Sequence, residues 1–229
     1  MKYRGKTVLI SGTSRGVGRD LALYFLDEGA TVIGLSRTVP GIEDERYSHH
    51  IVDLNYPADI ITLFKNLDTN IDILINNAAV LTSNYAIRIP LERAVEMVTV
   101  NLLATFLISR EAFKLMNNGR IINIGSMAQK LEPMGDSLYA ATKSAINTMA
   151  NILAKEFAIS RVTVNTIAIS AIETDMLRQL NKEKIDKVVA GLPLPRYATM
   201  QDITNVIDFF VSDKSDYITA QTIYLGGVS

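Results

Sequence analysis

TVLISGTSRGVGRDLALYFLDEG, residues 7–29, is the stretch that decides the fold. Thr7–Ser11 is a short apolar run rich in β-branched residues, which predicts a buried strand. Glycines then mark a turn over residues 12–18. Residues 19–28 have helical spacing of their apolar side chains, and Gly29 is a good helix stop. Strand, glycine turn and helix in this order predict the first βα unit of an α/β fold.

The glycine turn has the spacing G-x3-G-x-G. Glycines let the backbone approach a ligand closely, and a helix N-terminus offers free N–H groups and a positive dipole to a pyrophosphate. Glycines also make ordinary tight turns, but the position directly after a first strand favours a nucleotide site. The candidate residues of this turn are Gly12, Ser14, Arg15, Gly16, Val17 and Gly18.

Strand and helix signals alternate to the end of the chain. Apolar runs predict further strands at 31–36, 50–53, 71–75, 121–125, 162–168 and 221–225, and amphipathic runs predict helices at 59–67, 91–116, 139–157 and 202–211. We predict one domain over residues 1–229, of the α/β class, with a Rossmann-like doubly wound parallel sheet of about seven strands and helices on both faces. The mixed segment of about residues 170–199 is expected to cover the substrate as a lid.

Composition excludes several classes of function. The 229 residues are 48% hydrophobic with a net charge of −1, so no basic field indicates a nucleic acid partner. The chain has no cysteine, which excludes thiolate catalysis and disulfides. The N-terminal apolar run is too short for a signal peptide, and no run suits a membrane span, so we expect a cytoplasmic protein without a membrane partner.

A metal site is not expected. His49 and His50 are the only histidines, and neither has another ligand at a suitable spacing. The simplest interpretation places both histidines at the edge of the third strand without a chemical role.

A second stretch, SMAQKLEPMGDSLYAATK at 126–143, carries the chemistry. Tyr139 and Lys143 are four residues apart, which places them on one face of a helix, and Ser126 closes a predicted strand. A phenol titrates about three units too high for acid–base work at neutral pH, but a neighbouring ammonium lowers its pKa. A chance surface pair is the alternative. The serine at a strand end favours proton transfer at a carbonyl or alcohol oxygen.

Several other polar residues follow predicted strands. Gly12, Arg37, Asp53, Asn77 and Ser126 all lie at carboxyl ends, where open α/β sheets bind ligands. Asn101 lies instead in an apolar helical run, where a lone amide costs stability unless it is hydrogen-bonded. That position predicts either a function or a structural hydrogen bond for Asn101.

These motifs resemble the short-chain dehydrogenases/reductases in their short single-domain subtype, and most closely the 3-oxoacyl-carrier-protein reductases. The matching segments are SGTSRGVG at 11–18, VDL at 52–54, NNAA at 76–79, Asn101 in VNLLATFLISR, Ser126, the Tyr139-x3-Lys143 pair, Ile172-Glu-Thr174 and the C-terminal SDKSDYITAQTIYLGG. They cover nearly the whole chain.

The resemblance implies a small-molecule carbonyl or alcohol substrate, a nicotinamide cofactor and a role for each matching residue. Tyr139 would transfer the proton, Lys143 would hold the nicotinamide ribose and lower the tyrosine pKa, and Ser126 would orient the substrate oxygen. Asn101 would hold a water in a proton relay. The adenosine end would lie against Asp53, Leu54, Asn77, Ala78 and Ala79, and the carboxamide against Ile172 and Thr174.

Two positions depart from the family pattern. Ala79 stands where the family usually has glycine, and a methyl group there would cost about 1–2 kcal/mol if φ were positive. Ile169 and Ser170 replace a Pro-Gly pair in the loop that would face the nicotinamide. A catalytically silent dinucleotide-binding regulator or scaffold is therefore the alternative function.

The residues after the second strand predict NADP(H) rather than NAD(H). No acidic residue lies between Glu28 and Glu43, whereas Arg37 occupies the place that contacts the adenosine ribose. Arg15 lies in the glycine turn, and Ser14 and Ser36 add hydroxyl donors. A guanidinium binds a 2′-phosphate with two parallel hydrogen bonds, although a strand-end arginine can also be merely exposed.

The helices around Asn101 and Tyr139 are apolar over a wide arc, at Leu102, Leu103, Phe106, Leu107, Ile146, Met149, Leu153 and Phe157. A thick monomer core would explain this pattern. The family resemblance instead implies a homodimer or homotetramer formed through these helices.

Overall fold

Seven parallel strands form one sheet in the order β3-β2-β1-β4-β5-β6-β7. The structure is a computed structural model that describes residues 1–228. The strands are β1 (Thr7–Ser11), β2 (Thr31–Ser36), β3 (Tyr47–Ile51), β4 (Ile73–Asn76), β5 (Arg120–Ser126), β6 (Thr163–Ile169) and β7 (Thr222–Tyr224). The predicted class and strand number are confirmed.

Helices connect the strands on both faces of the sheet. They are α1 (Gly16–Asp27), α2 (Pro57–Lys65), α3 (Leu91–Val98), α4 (Thr105–Phe113), α5 (Ala128–Leu131), α6 (Ser137–Glu156), α7 (Asp175–Arg178), α8 (Lys182–Ala190) and α9 (Met200–Val211). Short 3₁₀ turns lie at Ala86–Arg88, Phe157–Ser160, Asp213–Ser215 and Leu225–Gly227.

The two faces of the sheet bury separate cores. On one face, α2, α4 and α6 cover the sheet with side chains such as Phe64, Leu107 and Leu153. On the other, α1 and α9 contribute Phe25 and Phe210, both almost fully buried. Burial of strands on both sides explains why β1, β4 and β5 are apolar runs rather than alternating patterns.

The predicted third strand was placed too late in the chain. β3 spans Tyr47–Ile51, not residues 50–53, and pairs with Val32 through Ser36 of β2. As an edge strand it is only partly buried, so its sequence YSHHI lacks an apolar run. Asp53 consequently lies two residues beyond the strand rather than at its last position.

The long helix predicted over 91–116 is three segments. α3 and α4 are joined by a π-helical segment, Thr99–Ala104, which contains Asn101, and α4 ends at Phe113. A π-helical segment inserts a residue into the helix and is frequent at functional sites. Here it turns the Asn101 side chain towards the loop after β4.

Residues 1–228 contain neither a helix suited to a membrane nor a cluster of side chains suited to a metal ion. None of the helices there is long and apolar enough to cross a membrane. Nor do three or more histidine, aspartate or glutamate side chains of this part of the chain come together to hold a metal ion.

Candidate active site

A cleft of about 230 Å³ runs along the carboxyl ends of the central strands. Every residue predicted to bind the cofactor lines this cleft: Gly12, Ser14, Arg15, Gly16, Val17, Gly18, Ser36, Arg37, Asp53, Leu54, Asn77, Ala78, Ala79, Tyr139, Lys143, Ile172 and Thr174. Parallel strands bring their carboxyl ends to one edge of the sheet, so residues far apart in sequence meet there.

The glycine turn is packed too tightly for side chains. A Cβ on Gly12 would lie 2.9 Å from the Ala78 Cα, and a Cβ on Gly18 would collide with the Gly12 carbonyl oxygen. Asn77 fastens the turn, because its Nδ2 donates to the carbonyl oxygens of Ser11 at 3.0 Å and Gly12 at 3.2 Å. Asn77 thus both lines the cleft and fixes the turn.

The start of α1 fits a pyrophosphate. Arg15 is the N-cap residue and makes no side-chain cap hydrogen bond, so no side chain of the turn occupies the first N–H groups of the helix. Gly16 has a φ of +56°, which a residue without Cβ adopts at low cost. Free amides at a helix N-terminus are the donor set that phosphate groups prefer.

Two exposed arginines, Arg15 and Arg37, line the end of the cleft that is predicted to hold the adenosine. Within residues 1–228, neither Arg15 nor Arg37 forms an ion pair with an acidic side chain. Ser36 differs from expectation, because its hydroxyl donates to the Thr38 carbonyl oxygen at 2.7 Å and is not a free donor. Ser36 therefore holds the turn that carries Arg37 instead of offering its proton to a ligand.

Asp53 is positioned by its own loop. Its Oδ1 accepts hydrogen bonds from the Asn55 backbone N–H and Nδ2, both at 3.0 Å. The Oδ2 atom of Asp53 takes no part in these two hydrogen bonds. Asp53 and the neighbouring Leu54 both line the cleft.

The proposed catalytic side chains converge where β5 meets α6. Tyr139 and Lys143 lie on the first turns of α6, and both are buried. The Lys143 Nζ donates to the Ile124 carbonyl oxygen at 2.8 Å and stands 6.0 Å from the centroid of the Tyr139 ring. The Ser126 hydroxyl, at the end of β5, accepts the Ala128 N–H at 3.2 Å.

Burial dominates the electrostatics of this group. It raises the pKa of Tyr139 to about 12, and hydrogen bonding with Ser126 opposes that rise. It also lowers the pKa of Lys143 to about 8. Lys143 is not among the causes of the Tyr139 shift, in which desolvation of the phenol is the largest, so the expectation that Lys143 lowers the tyrosine pKa stays a prediction.

Asn101 makes the structural hydrogen bonds that its burial requires. Its Nδ2 donates to the Val80 carbonyl oxygen at 2.9 Å, and its Oδ1 accepts the Val80 N–H at 2.8 Å. The backbone carbonyl oxygen of Asn101 accepts a hydrogen bond from the Thr105 hydroxyl at 2.8 Å. Asn101 therefore anchors the loop after β4 beside the proposed catalytic residues, and the water-holding role stays a prediction.

A second cavity of about 300 Å³ adjoins the cleft. Its walls are mainly apolar and include side chains of α7 and α8. Ser126 lines this cavity, and Tyr139 lines both cavities. A molecule in the second cavity therefore meets the Ser126 and Tyr139 side chains beside any ligand in the cleft.

Comparisons with known proteins agree with this geometry. A family model described as enoyl-(acyl carrier protein) reductase matches residues 12–228. The 3-oxoacyl-(acyl-carrier-protein) reductases of Salmonella typhimurium and Escherichia coli are similar to the chain, each with 32% identity over 239 aligned positions, covering 99% of this chain and 98% of theirs. The chain belongs to the short-chain dehydrogenase/reductase family. This confirms the predicted family and makes the protein an NAD(P)-dependent oxidoreductase.

Solved structures of the short-chain dehydrogenase/reductase family share the fold. A double mutant of a Serratia marcescens family member superposes with a TM-score of 0.89 at 26% identity, covering 100% of both chains. A Burkholderia cenocepacia member, solved in complex with NADP, gives a TM-score of 0.89 at 23% identity, covering 99% of this chain and 98% of its own.

The two departures from the family pattern leave the site intact. Among residues 1–228, the non-glycine residues with positive φ are Asn118, Glu132, Arg161 and Ala220, so the Ala79 methyl carries no such strain. Ile169 is the last residue of β6, and its carbonyl oxygen accepts the Met127 N–H at 2.9 Å. Ile172 and Thr174 still reach both cavities.

Gln129 of this short-chain dehydrogenase/reductase was not predicted from the sequence. Gln129 is buried between β5 and α6, its Nε2 donates to the Lys143 carbonyl oxygen, and its Oε1 accepts the Ser126 N–H at 3.4 Å. It links two of the proposed catalytic residues through their backbones, which leaves no signature in residue spacing. The cleft also contains Asn55 and Val80, whose positions directly after VDL and NNAA could have indicated them.

Proposed function

We propose that this oxidoreductase reduces the ketone of a 3-oxoacyl thioester to a secondary alcohol, with NADPH as cofactor and Tyr139 as the proton donor. One observation carries the proposal: Tyr139 is the titratable side chain that lines both the cofactor cleft and the apolar cavity. A group at that junction reaches the oxygen of a substrate whose apolar part fills the second cavity. Nothing in the site favours the silent regulator.

The protein's residues supply the proton chemistry. A nicotinamide bound in the cleft supplies the hydride. Tyr139 keeps its proton at neutral pH, because burial raises its pKa to about 12, and a protonated phenol is the form that a carbonyl oxygen needs as donor. Ser126 orients that oxygen. Lys143, positively charged below about pH 8, stabilises the phenolate that remains after transfer.

The residues of the cleft also support a preference for NADP(H). The N–H groups at the start of α1 would hold the pyrophosphate, and Arg15 and Arg37 would hold the 2′-phosphate. Both guanidiniums lie free of acidic partners within the described chain, so each can form charged hydrogen bonds with a phosphate. No carboxylate of residues 29–42 is there to repel it.

The substrate is inferred from the relatives and from the second cavity. The 3-oxoacyl reductases reduce a ketone, whereas the family model's description names an enoyl substrate, in which a carbon–carbon double bond is reduced. A phenol and a serine hydroxyl side by side suit an oxygen that gains a proton, which favours the ketone. Apolar side chains of α7 and α8, such as Leu177 and Ile185, would cover the acyl chain as a lid.

The test is NADPH oxidation with matched thioesters. Purified protein is given 3-oxoacyl and 2-enoyl thioesters of equal chain length, and a simple ketone, with NADPH and separately with NADH. We expect turnover of the 3-oxoacyl thioester well above that of the enoyl ester. If the 2-enoyl thioester reacted faster, the substrate would be assigned as an enoyl thioester instead. If no carbonyl compound were turned over, the proposed function would be contradicted.

We also propose a homo-oligomer formed through α4 and α6. The side chains Leu107, Ile146, Leu153 and Phe157, predicted as interface candidates, are buried within the monomer instead. Leu103 of the π-helical segment, Phe106 of α4 and Ile152 of α6 remain at least one-third exposed. These three exposed apolar side chains support an interface with a second copy.

A further inference from the structure

A chain of hydrogen bonds lies behind the adenosine end of the cleft. The Tyr47 hydroxyl stands 3.1 Å from the Thr13 hydroxyl and 3.0 Å from the Nδ1 of His49. The Nε2 of His49 stands 3.3 Å from the Ser36 hydroxyl, which donates to the Thr38 carbonyl oxygen at 2.7 Å. Four side chains thus connect the glycine turn after β1 with the turn after β2.

The hydrogen bonds of the Ser36 hydroxyl determine which ring nitrogen of His49 carries the proton. A carbonyl oxygen can only accept a hydrogen bond, so the Ser36 hydroxyl donates its one proton to the Thr38 carbonyl oxygen. The Ser36 oxygen must then accept a hydrogen bond from the Nε2 of His49. The histidine therefore carries its proton on Nε2, which leaves Nδ1 to accept from Tyr47. The Tyr47 hydroxyl also donates to the Thr13 hydroxyl at 3.1 Å, so its one proton serves two acceptors. With a neutral imidazole, His49 and Ser36 each donate once and accept once.

The titration behaviour of the two central groups agrees with this assignment. Burial lowers the pKa of His49, a hydrogen bond with the Ser36 backbone opposes the change, and His50 adds to it, so the neutral imidazole is favoured. Burial raises the pKa of Tyr47, and the hydrogen bond with Thr13 opposes that rise.

The glycine at position 34 leaves the space that this series of hydrogen bonds occupies. It lies opposite His49 in the pairing of β2 with β3. A Cβ at Gly34 would collide with the Tyr47 hydroxyl and stand 2.6 Å from the Thr13 Oγ1. Only glycine at this strand position leaves room for the two hydroxyls to meet.

We propose that Tyr47 and His49 are specificity-determining positioning residues, which fix the turn of residues 36–38 so that Arg37 is held where a 2′-phosphate is recognised. The inference rests on the proposed preference for NADP(H). Ser36 is 7% exposed, and its hydroxyl closes the turn by donating to the Thr38 carbonyl oxygen, so it fixes the Arg37 backbone that lies between these two residues. The His49 side chain does not line the cleft and acts through the Ser36 hydroxyl.

The experiment measures binding rather than turnover. Dissociation constants of NADPH, NADH and adenosine 2′,5′-bisphosphate are determined by titration for wild type, His49→Phe, His49→Gln and Tyr47→Phe. Loss of one such hydrogen bond corresponds to a fewfold to tenfold change, so His49→Phe should weaken NADPH and the bisphosphate by roughly fivefold to tenfold. NADH binding should stay within about twofold. His49→Gln retains an amide donor for Ser36 and should recover part of the affinity.

Controls separate this effect from misfolding. His50→Phe makes the same chemical change at the next residue of β3, whose side chain points to the other face of the sheet, and should leave all three affinities unchanged. Tyr47→Phe removes a single oxygen, so it carries the test if His49→Phe unfolds. Equal losses of NADPH and NADH, or no loss in either variant, would overturn the positioning role. Equal affinity of wild type for both cofactors would overturn the proposed preference as well.

Discussion

Replacing Lys143 by methionine should make the cofactor-free protein less sensitive to alkaline pH. Lys143 is 3% exposed, and within residues 1–228 its ammonium has one hydrogen-bond partner, the Ile124 carbonyl oxygen. Burial lowers its pKa from 10.5 to about 8. The difference of about 2.5 units corresponds to roughly 3 kcal/mol of destabilisation when the lysine is charged in both states.

The sign follows from proton binding. Between about pH 8 and 10.5 the unfolded chain keeps a proton on Lys143 that the folded protein has lost, so wild-type stability rises with pH in this window. Integration over pH 7 to 10 gives wild type a gain in unfolding free energy of roughly 2–3 kcal/mol relative to Lys143→Met. At pH 7, Lys143→Met is stabilised because no charge is buried. It also lacks the Nζ donor to the Ile124 carbonyl oxygen, which costs about 1–3 kcal/mol.

The assay is urea unfolding of the cofactor-free protein at pH 7, 8, 9 and 10, followed by circular dichroism. Lys155→Met is the matched control, since Lys155 lies exposed on the same helix, α6, and this variant should follow wild type. A constant stability difference between wild type and Lys143→Met at all four pH values would refute the reasoning, as would a wild type that loses stability relative to that variant.

Three further outcomes follow from the same geometry. The kcat/KM for NADPH should fall as pH rises through about 8, because Lys143 then loses the charge that stabilises the Tyr139 phenolate; a flat profile to pH 10 would contradict this role. Arg37→Ala should weaken NADPH binding by about tenfold or more and leave NADH binding nearly unchanged, measured by fluorescence titration; equal losses would contradict the 2′-phosphate assignment. Light scattering should give at least twice the 25.2 kDa of one chain, and Phe106→Glu should reduce that mass; a wild-type monomer at micromolar concentration would contradict the interface.

The sequence predicted the parts of the fold that repeat an apolar pattern. β1, β4, β5 and β6 are buried on both faces, so each is rich in apolar residues and has a clear end. β3 lies at the sheet edge and is half solvated, so Tyr47 through Ile51 carry no such pattern. The π-helical segment around Asn101 also escaped prediction, because one inserted residue barely changes the apolar periodicity of a helix.

The residues of the candidate site also fall into those that the sequence predicts and those that it does not. Residues such as Asn77, Ser126 and Tyr139 were predictable because they follow strand ends or share a helix face. Gln129 and His49 were not, since each acts through a partner from another element, the Lys143 backbone or the Ser36 hydroxyl. Such contacts depend on packing between elements, which spacing along the chain does not encode.

The role of Tyr139 as proton donor is tested most directly by Tyr139→Phe, compared with wild type for turnover of the best carbonyl substrate and for NADPH affinity. Tyr217→Phe, at a tyrosine that is 98% exposed, is the matched control. We predict that Tyr139→Phe lowers kcat by roughly 10²–10⁴ while the NADPH dissociation constant changes little and Tyr217→Phe matches wild type. A Tyr139→Phe variant that turns over at a near wild-type rate would contradict the account.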